Sequence, residues 1–385
     1  KRCNSETLRA QYIDVAELRI FVGTWNVGGR VPPIDLDIQE WLAMEEPADI
    51  YVLGFQEIVP LNAGNIFGAE DDHPVVVWEH IIRETLNKIC PYKPKHKCVS
   101  DPPSPSKFNP SDYLVMEDDF LSEADNGSEG ELHPLIGQDI NPVTNDSGVC
   151  KTYEYSTSAS SERVHEGEDF SKMLPGSISV SMSIYQTPFC FVCCHLTSGE
   201  KDGNLTKRNA DVEEILRRTV FNPVHRVSMP KGIHDHEKII WFGDLNYRIN
   251  LSYERTHELI SRKEWDLLFD NDQLKWELMK GRTFDGWIEG VISFPPTYKY
   301  EFNSDKYAGD EPISARRRPA WCDRILSYGK GIRLDSYRRV ELNLSDHRPV
   351  SAVYMAEVEV LCHRKFQKAV TFTNVEVEDH LLLER

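Results

Sequence analysis

Short apolar runs that end in a polar side chain recur along this chain. Four runs share the design: Arg19–Asn26, Ile50–Glu57, Phe189–His195 and Ile239–Asp244. Runs of this length are typical of buried strands. The segment Ser177–Ile184 alternates apolar residues with serines, which predicts a half-buried strand. Pro188 separates this segment from the next run, so the two are expected to form a hairpin.

Helical patterns lie between these strands. Four segments carry apolar residues at helical spacing: Val77–Ile89, Arg208–Val220, His257–Phe269 and Gln273–Lys280. A chain that mixes short strands with surface helices is expected to form an α+β or α/β layered domain.

One long acidic stretch interrupts this pattern. From Phe108 to Cys150 the chain has ten aspartates or glutamates and no lysine or arginine. Such a segment cannot bury enough apolar surface to offset the entropy of ordering it. The sequence therefore predicts one domain over residues 1–385, with a core of about 18–358 and a partly disordered insertion at about 95–172.

Charge and cysteine content narrow the possible partners and compartments. The net charge of −18 argues against a protein that coats nucleic acid. Nine cysteines in 385 residues are too few for a disulfide scaffold and predict reduced thiols in an intracellular protein. No apolar run is long enough to span a bilayer. The expected location is cytoplasmic, and peripheral membrane contact, a nuclear location and an upstream targeting segment stay open.

Polar side chains stand at the ends of the predicted strands and in later turns. They are Asn26, Glu57, His195, Asp244, Asn246, Asp323, Asp346 and His347. Taken singly, each has a structural explanation, such as a turn former, a solvated strand end or a hydrogen-bonded core histidine. Their recurrence predicts a single site, because strand ends offer a rigid backbone beside solvent.

The residue types in this set suit the hydrolysis of a phosphate monoester. That reaction is extremely slow in water, so a catalyst must neutralise charge and position a water molecule. Glu57 and Asn26 offer the oxygen ligands that Mg²⁺ prefers. Asp244 is the candidate base for the attacking water, and the amide of Asn246 would fix its geometry.

The two histidines are candidates for binding phosphoryl oxygens. A histidine backed by a carboxylate can hold one protonation state, which favours a pair of His347 with Asp323. His195 would bind another oxygen of the same group. A magnesium ion would stabilise the departing alkoxide.

Six motifs carry a family resemblance. Four resemble the metal-dependent endonuclease/exonuclease/phosphatase superfamily: Thr24–Asn26 (TWN), Gly54–Glu57 (GFQE), Gly243–Tyr247 (GDLNY) and Ser345–Pro349 (SDHRP). Two more look like signatures of inositol polyphosphate 5-phosphatases: Phe294–Tyr300 (FPPTYKY) and Arg318–Arg324 (RPAWCDR).

The resemblance runs from about Leu18 to Val358, outside the insertion. It implies an α+β fold, a two-sheet β-sandwich with outer helices in the DNase I-like four-layer architecture. It also implies an Mg²⁺-dependent phosphomonoesterase that removes the 5-phosphate from inositol polyphosphates, such as inositol 1,4,5-trisphosphate, or from phosphoinositides, such as phosphatidylinositol 4,5-bisphosphate. The insertion and His195–Gly199 (HLTSG) resemble the plant type I branch of the family.

The resemblance assigns a role to each candidate residue. The implied metal ligands are Asn26, Glu57 and Asp346. The implied catalytic residues are His195, Asp244, Asn246, Asp323 and His347. The implied substrate-binding residues are Tyr298, Lys299, Arg317 and Arg324. Among these, Tyr298, Lys299 and Arg317 match positions that grip the neighbouring 4-phosphate, a contact that suits an arginine and a lysine.

Two other functions remain as alternatives. An endonuclease or other phosphodiesterase of the same superfamily would need a long basic face, which the acidic composition disfavours. A non-enzymatic phosphoinositide-binding module would lack metal or base residues, and all eight are present.

The loop Val59–Gly68, which carries Leu61, Ile66 and Phe67, either dips into a bilayer or packs on the core. The oligomeric state is not determined by the sequence.

Overall fold

The computed structural model describes residues 9, 11–59, 73–89, 155–160, 176–201, 203–221, 230–309 and 316–367. Within these residues the strands form a four-stranded and a six-stranded sheet. The first sheet has the order β2-β1-β10-β9 and consists of β1 (Ile13–Asn26), β2 (Ile50–Gln56), β9 (Ile332–Arg339) and β10 (Val350–Leu361). The strand β1 pairs in parallel with β2 and antiparallel with β10.

The second sheet has the order β3-β4-β5-β6-β8-β7. Its strands are β3 (Tyr155–Ser160), β4 (Gly176–Ile184), β5 (Thr187–His195), β6 (Lys238–Asp244), β7 (Ile288–Glu289) and β8 (Asp323–Gly329). The pair β5–β6 is parallel, and β6–β8 is antiparallel. The end of β6 therefore lies beside the start of β8.

The described residues include the helices α1 (His73–Ile89), α2 (Asn204–Arg218), α3 (Tyr253–Ser261), α4 (Trp265–Phe269) and α5 (Gln273–Lys280). The helices α1, α2 and α5 cover the outer faces of the two sheets, whereas α3 and α4 contribute Leu259 and Leu268 to the apolar cluster between the sheets. On α1, Trp78 and Ile81 pack with Phe21 and Trp25 of β1. On α2, Val212 joins the cluster on the outer face of the second sheet. This arrangement confirms the predicted α+β sandwich with outer helices.

The largest apolar cluster lies between the two sheets. On β1 it includes Ile20 and Val22, and on β6 it includes Ile240 and Phe242. Successive residues of a strand face opposite sides of the sheet, so the even-numbered residues of β1 and β6 point into this inner layer. Asn26 and Asp244 are the last residues of those two series, and they face the opposite sheet at one edge of the sandwich.

The predicted strands and helices are found where the sequence placed them, with two differences in detail. On β4 the serines are the more buried face: Ser179 is fully buried, whereas Ile178 is 58% exposed. The reason is that Ser179 lies opposite Val192 across the hairpin and faces the helix layer. The predicted helix His257–Phe269 is two helices, because Lys263 has a φ of 55° and interrupts the helical backbone.

Several sequence predictions fall largely outside the described residues. The insertion at about 95–172 is described only at β3, which extends the second sheet beside β4. The loop Val59–Gly68 is described only at its first residue. The five cysteines in the described ranges are all free thiols. No helix in those ranges has the length and apolar character that crossing a membrane requires.

Candidate active site

Three candidate residues form one row across the second sheet. His195 at the end of β5 pairs in register with Asp244 at the end of β6. Asp244 in turn pairs with Asp323 at the start of β8. All three side chains extend the inner face of the sheet, because each lies an even number of residues from a core residue of its own strand.

The backbone before Asp244 depends on a glycine. Gly243 has a φ of 139°, and a Cβ there would lie 2.0 Å from the carbonyl oxygen of Cys194. Only glycine tolerates both that conformation and that approach. This close contact between β5 and β6 sets Asp244 beside His195.

Asn26 and Glu57 approach the same row from the first sheet. The Asn26 Nδ2 donates to Asp244 Oδ2 at 2.9 Å and to Glu57 Oε1 at 3.1 Å. Glu57 follows β2 with a φ of 52°, a left-handed conformation that costs energy for a residue with a side chain. Strained backbone of this kind clusters at functional sites.

Asp244 is the centre of the cluster. Its carboxylate is almost fully buried, and Oδ2 lies 3.3 Å from His195 Nε2 and 3.8 Å from His347 Nε2. Burial alone would raise the pKa of Asp244, but the two histidines outweigh it and hold the pKa well below its usual range. The site therefore favours an ionised carboxylate at a buried position.

His347 is held by a carboxylate behind it. Its Nδ1 lies 2.9 Å from Asp323 Oδ2, which also accepts a hydrogen bond of 2.6 Å from Thr297 Oγ1. Burial disfavours the charged imidazolium, but Asp323 and Asp244 outweigh it and raise the pKa of His347 to about 10. The pKa of His195 is also raised, because the charge of Asp244 outweighs burial. Both rings can therefore present a positive charge to an anion.

Asn246 is fixed two residues beyond Asp244. Its φ of 56° is left-handed, a conformation that asparagine tolerates better than most residues. Its backbone N–H donates to Asp244 Oδ1 at 3.1 Å, and its Nδ2 donates to Leu196 O at 3.0 Å. The backbone of Asn246 is therefore anchored to Asp244, and its side chain is anchored to the residue that follows β5.

Asp346 lies beside the turn that follows Asn26. A Cβ at Gly28 would come within 3.3 Å of the Asp346 carboxylate. Asn26 and Glu57 are thus in direct contact, and Asp346 lies beside Gly28, two residues beyond Asn26. The role of all three as metal ligands stays a prediction. Asp244, Asp323 and His347 could also share an ion, since one ligand atom from each lies within 4.8 Å of the others. Asp323 Oδ2 is already bonded to His347 and Thr297, so we favour the more open edge at Glu57.

Tyr298 connects the cluster to the predicted substrate-binding residues. Its ring lies 4.5 Å from that of His347, measured between centroids. Arg317 is exposed and close enough to Tyr298 to influence its pKa, which burial raises. Lys299 follows Tyr298 directly and is half-buried. Tyr298 and Arg317 therefore lie near one rim of the site, and the place of the Lys299 side chain on that rim stays a prediction.

Arg324 does not belong to this rim, which corrects its predicted role in substrate binding. It is the neighbour of Asp323 on β8 and so points to the opposite face of the sheet. Its guanidinium is fully buried and is paired with Asp272 at 3.0 Å and with Glu289 at 2.5 Å. A side chain held by two buried carboxylates behind the sheet cannot reach a ligand in front of it.

Replacing Arg324 by glutamine is expected to reduce stability. The change would leave two buried carboxylates without their cation, and breaking such a pair costs about 3–5 kcal/mol. The free energy of unfolding, measured in urea, should fall by that amount, whereas the exposed Arg333→Gln on β9 should change it by less than about 0.5 kcal/mol. Unchanged stability of Arg324→Gln would contradict a structural role.

The structure adds residues that sequence reasoning did not select. Thr297 bonds Asp323, Arg248 donates to the side chain and backbone of Asn246, and Glu200 binds Arg318. One signal was available: Arg248 is a lone charge in the run Leu245–Ile249, and a charged residue within a buried run is informative. Thr297 and Glu200 gave no such signal.

The chain matches the sequence model of the Endonuclease/Exonuclease/phosphatase family 2 over residues 23–109 and 150–353. Two relatives from Arabidopsis thaliana cover nearly all of it. Type I inositol polyphosphate 5-phosphatase 1 is 44% identical, over 98% of this chain and 85% of the relative. Type IV inositol polyphosphate 5-phosphatase 3 is 39% identical, over 100% of this chain and 83% of the relative.

A solved structure shares the fold. It is the inositol polyphosphate 5-phosphatase domain of SPsynaptojanin in complex with inositol (1,4)-bisphosphate and a calcium ion. The TM-score is 0.64 at 23% identity, with 98% of this chain and 97% of that chain covered. The likeness supports the predicted architecture, and the two plant relatives support the resemblance to the plant branch. The chain belongs to the inositol polyphosphate 5-phosphatase family of metal-dependent hydrolases.

Proposed function

We propose that this chain is an Mg²⁺-dependent phosphomonoesterase that removes the 5-phosphate from inositol polyphosphates, such as inositol 1,4,5-trisphosphate, and from the headgroups of phosphoinositides, such as phosphatidylinositol 4,5-bisphosphate. The observation that carries the proposal is the buried carboxylate of Asp244, whose Oδ2 lies 3.3 Å from His195 Nε2 and 3.8 Å from His347 Nε2. The names of the plant relatives support the same substrate class.

The residues at the Glu57 edge fit a magnesium ion. The carboxylates of Glu57 and Asp244 accept from the Asn26 amide nitrogen at 3.1 and 2.9 Å, and the Asn26 amide oxygen accepts from the Gly28 N–H at 3.0 Å. The two carboxylates would hold the ion, and the Asn26 oxygen would join them once the amide turns over. Mg²⁺ prefers such oxygen ligands and retains several waters, and the Glu57 side chain is 28% exposed and leaves room for them. When bound, the ion would neutralise charge on the phosphoryl group and on the departing alkoxide.

Asp244 accepts a proton from the attacking water. Its carboxylate is ionised, and its Oδ1 is tied to the Asn246 backbone N–H, so the group is oriented before the substrate arrives. Phosphoryl transfer demands mainly positioning and charge stabilisation from the protein, so a fixed carboxylate of low basicity suffices. Asn246 holds the phosphoryl group beside it.

His195 and His347 donate hydrogen bonds to phosphoryl oxygens. Both have a raised pKa, which favours the positively charged ring that matches the anionic group. Asp323 holds the Nδ1 side of His347, which leaves Nε2 directed toward Asp244 and the reacting centre. His347 therefore acts by binding the negative charge of the phosphoryl group, and it need not donate or accept a proton.

The adjacent rim would select the substrate. Tyr298 stands beside His347, and together with Lys299 and Arg317 it would bind the 4-phosphate next to the scissile group. Binding energy at that phosphate would orient the 5-phosphate for in-line attack, which raises kcat as well as lowering KM.

Replacing Lys299 by alanine is expected to affect substrates with a 4-phosphate far more than those without one. A charge-assisted hydrogen bond contributes about 1.5–3 kcal/mol, so kcat/KM should fall about ten- to a hundred-fold. The measurement compares inositol 1,4,5-trisphosphate with an analogue that lacks the 4-phosphate. Lys306→Ala, in the exposed turn that follows, is the matched control. Equal proportional losses on both substrates would show that Lys299 serves the scissile phosphate or the fold.

Phosphate release from a panel of substrates tests the overall proposal. The panel contains soluble and lipid inositides with Mg²⁺ present, and nicking of supercoiled DNA is measured in parallel. Release of the 5-phosphate from either group supports the proposal, and the ratio between them gives the preference. DNA nicking without release from inositides would favour the nuclease alternative. A cytoplasmic location and peripheral membrane contact remain predictions, as does the absence of a nucleic-acid partner.

A further inference from the structure

A buried arginine lies directly behind Asn246. Arg248 is only 3% exposed, its Nε donates to Asn246 O at 3.0 Å, and its Nη2 donates to Asn246 Oδ1. The backbone of Arg248 is fixed as well, because its N–H donates to Gln273 Oε1 at 3.0 Å. The guanidinium therefore holds both oxygens of a candidate catalytic residue from a rigid position.

These contacts determine which way the Asn246 amide faces. A guanidinium only donates hydrogen bonds, so the amide oxygen must point toward Arg248 and the amide nitrogen away from it. One hydrogen of that nitrogen is used by Leu196 O at 3.0 Å. The second hydrogen remains for a phosphoryl oxygen or the attacking water. Arg248 thus makes Asn246 a hydrogen-bond donor toward the reacting group.

The same guanidinium reaches toward the substrate-binding rim. It stacks over the ring of Tyr298 at 4.8 Å from the centroid, and its Nη1 lies 3.9 Å from Glu200 Oε1. Glu200 in turn accepts from the backbone N–H of Arg318 at 2.9 Å and from its Nε at 3.0 Å. Arg318 is the chain neighbour of Arg317, the predicted 4-phosphate ligand.

The pairing of this buried arginine is incomplete. Its Nη1 has no hydrogen-bond partner among the described residues, and Glu200 is too distant for a close ion pair. A buried charge with incomplete pairing costs stability relative to an apolar side chain. Such a group persists where it serves a site, and the atoms that Arg248 does bind belong to Asn246.

We propose that Arg248 and Glu200 are positioning residues that align the Asp244–Asn246 loop with the Arg316–Arg318 segment. Arg248 sets the orientation of the Asn246 amide, and Glu200 binds Arg318 while its carboxylate lies 3.9 Å from the Arg248 guanidinium, so that its charge lies between the two arginines. The residues that act on the 5-phosphate and those that bind the 4-phosphate are thereby held in a fixed position relative to each other. This inference rests on the proposed phosphatase function.

A double-mutant cycle tests the first half of the inference. Arg248→Lys is expected to lower kcat about ten- to a hundred-fold, because lysine cannot hold both oxygens of Asn246 in a fixed fork. In an Asn246→Ala background the same change should have little further effect on kcat, since its target is gone. The buried Arg339→Lys, which donates to Pro296 O, is the matched control and should act independently of Asn246→Ala. Multiplicative losses for the Arg248 cycle would overturn the inference.

Glu200→Gln tests the second half, and it also serves if Arg248→Lys fails to fold. The amide side chain would keep one acceptor for Arg318 but lose the charge between the two arginines. We expect kcat/KM to fall about tenfold more for inositol 1,4,5-trisphosphate than for the analogue that lacks the 4-phosphate. Equal losses on both substrates would overturn this half. A parent protein without phosphatase activity would overturn the proposed function and the inference with it, whereas an active parent with uncoupled variants would overturn the inference alone.

Discussion

Replacing Asp244 by asparagine is expected to lower kcat by about 10²- to 10⁴-fold, the range that a positioned general base contributes. The amide has almost the same shape as the carboxylate and can still accept the hydrogen bond from the Asn246 backbone. It cannot take a proton from water, and it removes the negative charge that His195 and His347 face. The loss should therefore appear in kcat more than in KM.

The measurement is steady-state phosphate release from inositol 1,4,5-trisphosphate, with the fold checked by thermal unfolding. Asp335→Asn is the matched control, because Asp335 is a partly exposed carboxylate on β9 that pairs with Arg19 far from the cluster. It should leave kcat unchanged. A nearly normal kcat in Asp244→Asn would place the base elsewhere.

Removing divalent metal is expected to abolish turnover, and adding Mg²⁺ back should restore it. Without the ion, the charges of Glu57 and Asp244 face each other across the Asn26 amide, with only the histidines to balance them. Binding of the ion should therefore also stabilise the fold by mass action, about 2.7 kcal/mol at a hundred times Kd.

Both effects can be measured on the same protein. Phosphate release is followed in excess EDTA and during a titration with MgCl₂, and the melting temperature is recorded over the same titration. Glu57→Gln should shift the activity titration to higher metal concentration, whereas Glu359→Gln, at the opposite end of the chain's first sheet, should not. Full turnover in excess EDTA would contradict a mechanism that depends on a metal ion.

The strand ends could be predicted because local pattern and chemistry agree there. In β1 and β6 the even-numbered residues face the inner layer, and Asn26 and Asp244 are the last even-numbered residues of these strands. The strand itself therefore directs those two side chains into the inner layer. The alternation that builds the core also aims the polar residue at its end. No long-range information was needed to select these residues.

The errors arose where long-range contacts decide. Arg324 was selected with Asp323 because the two are adjacent in one motif, but adjacent residues of a strand face opposite layers. The strands β9 and β10 carry no pattern as clear as that of β6, and their place in the first sheet depends on pairing with β1. Arg248 and Glu200 become informative only when Asn246, Tyr298 and Arg318 are brought around them.

The row of His195, Asp244 and Asp323 has a consequence for how the protein loses activity. Its members are bound into the ladder of three central strands, and β6 is buried along its whole length. Amide hydrogens in such a strand exchange only when the whole domain opens, whereas surface segments such as Arg316–Arg318 open separately and at lower cost. Mild heating or denaturant should therefore reduce the preference for substrates with a 4-phosphate before it stops hydrolysis. The reason is that the reacting groups are part of the last cooperative unit to unfold.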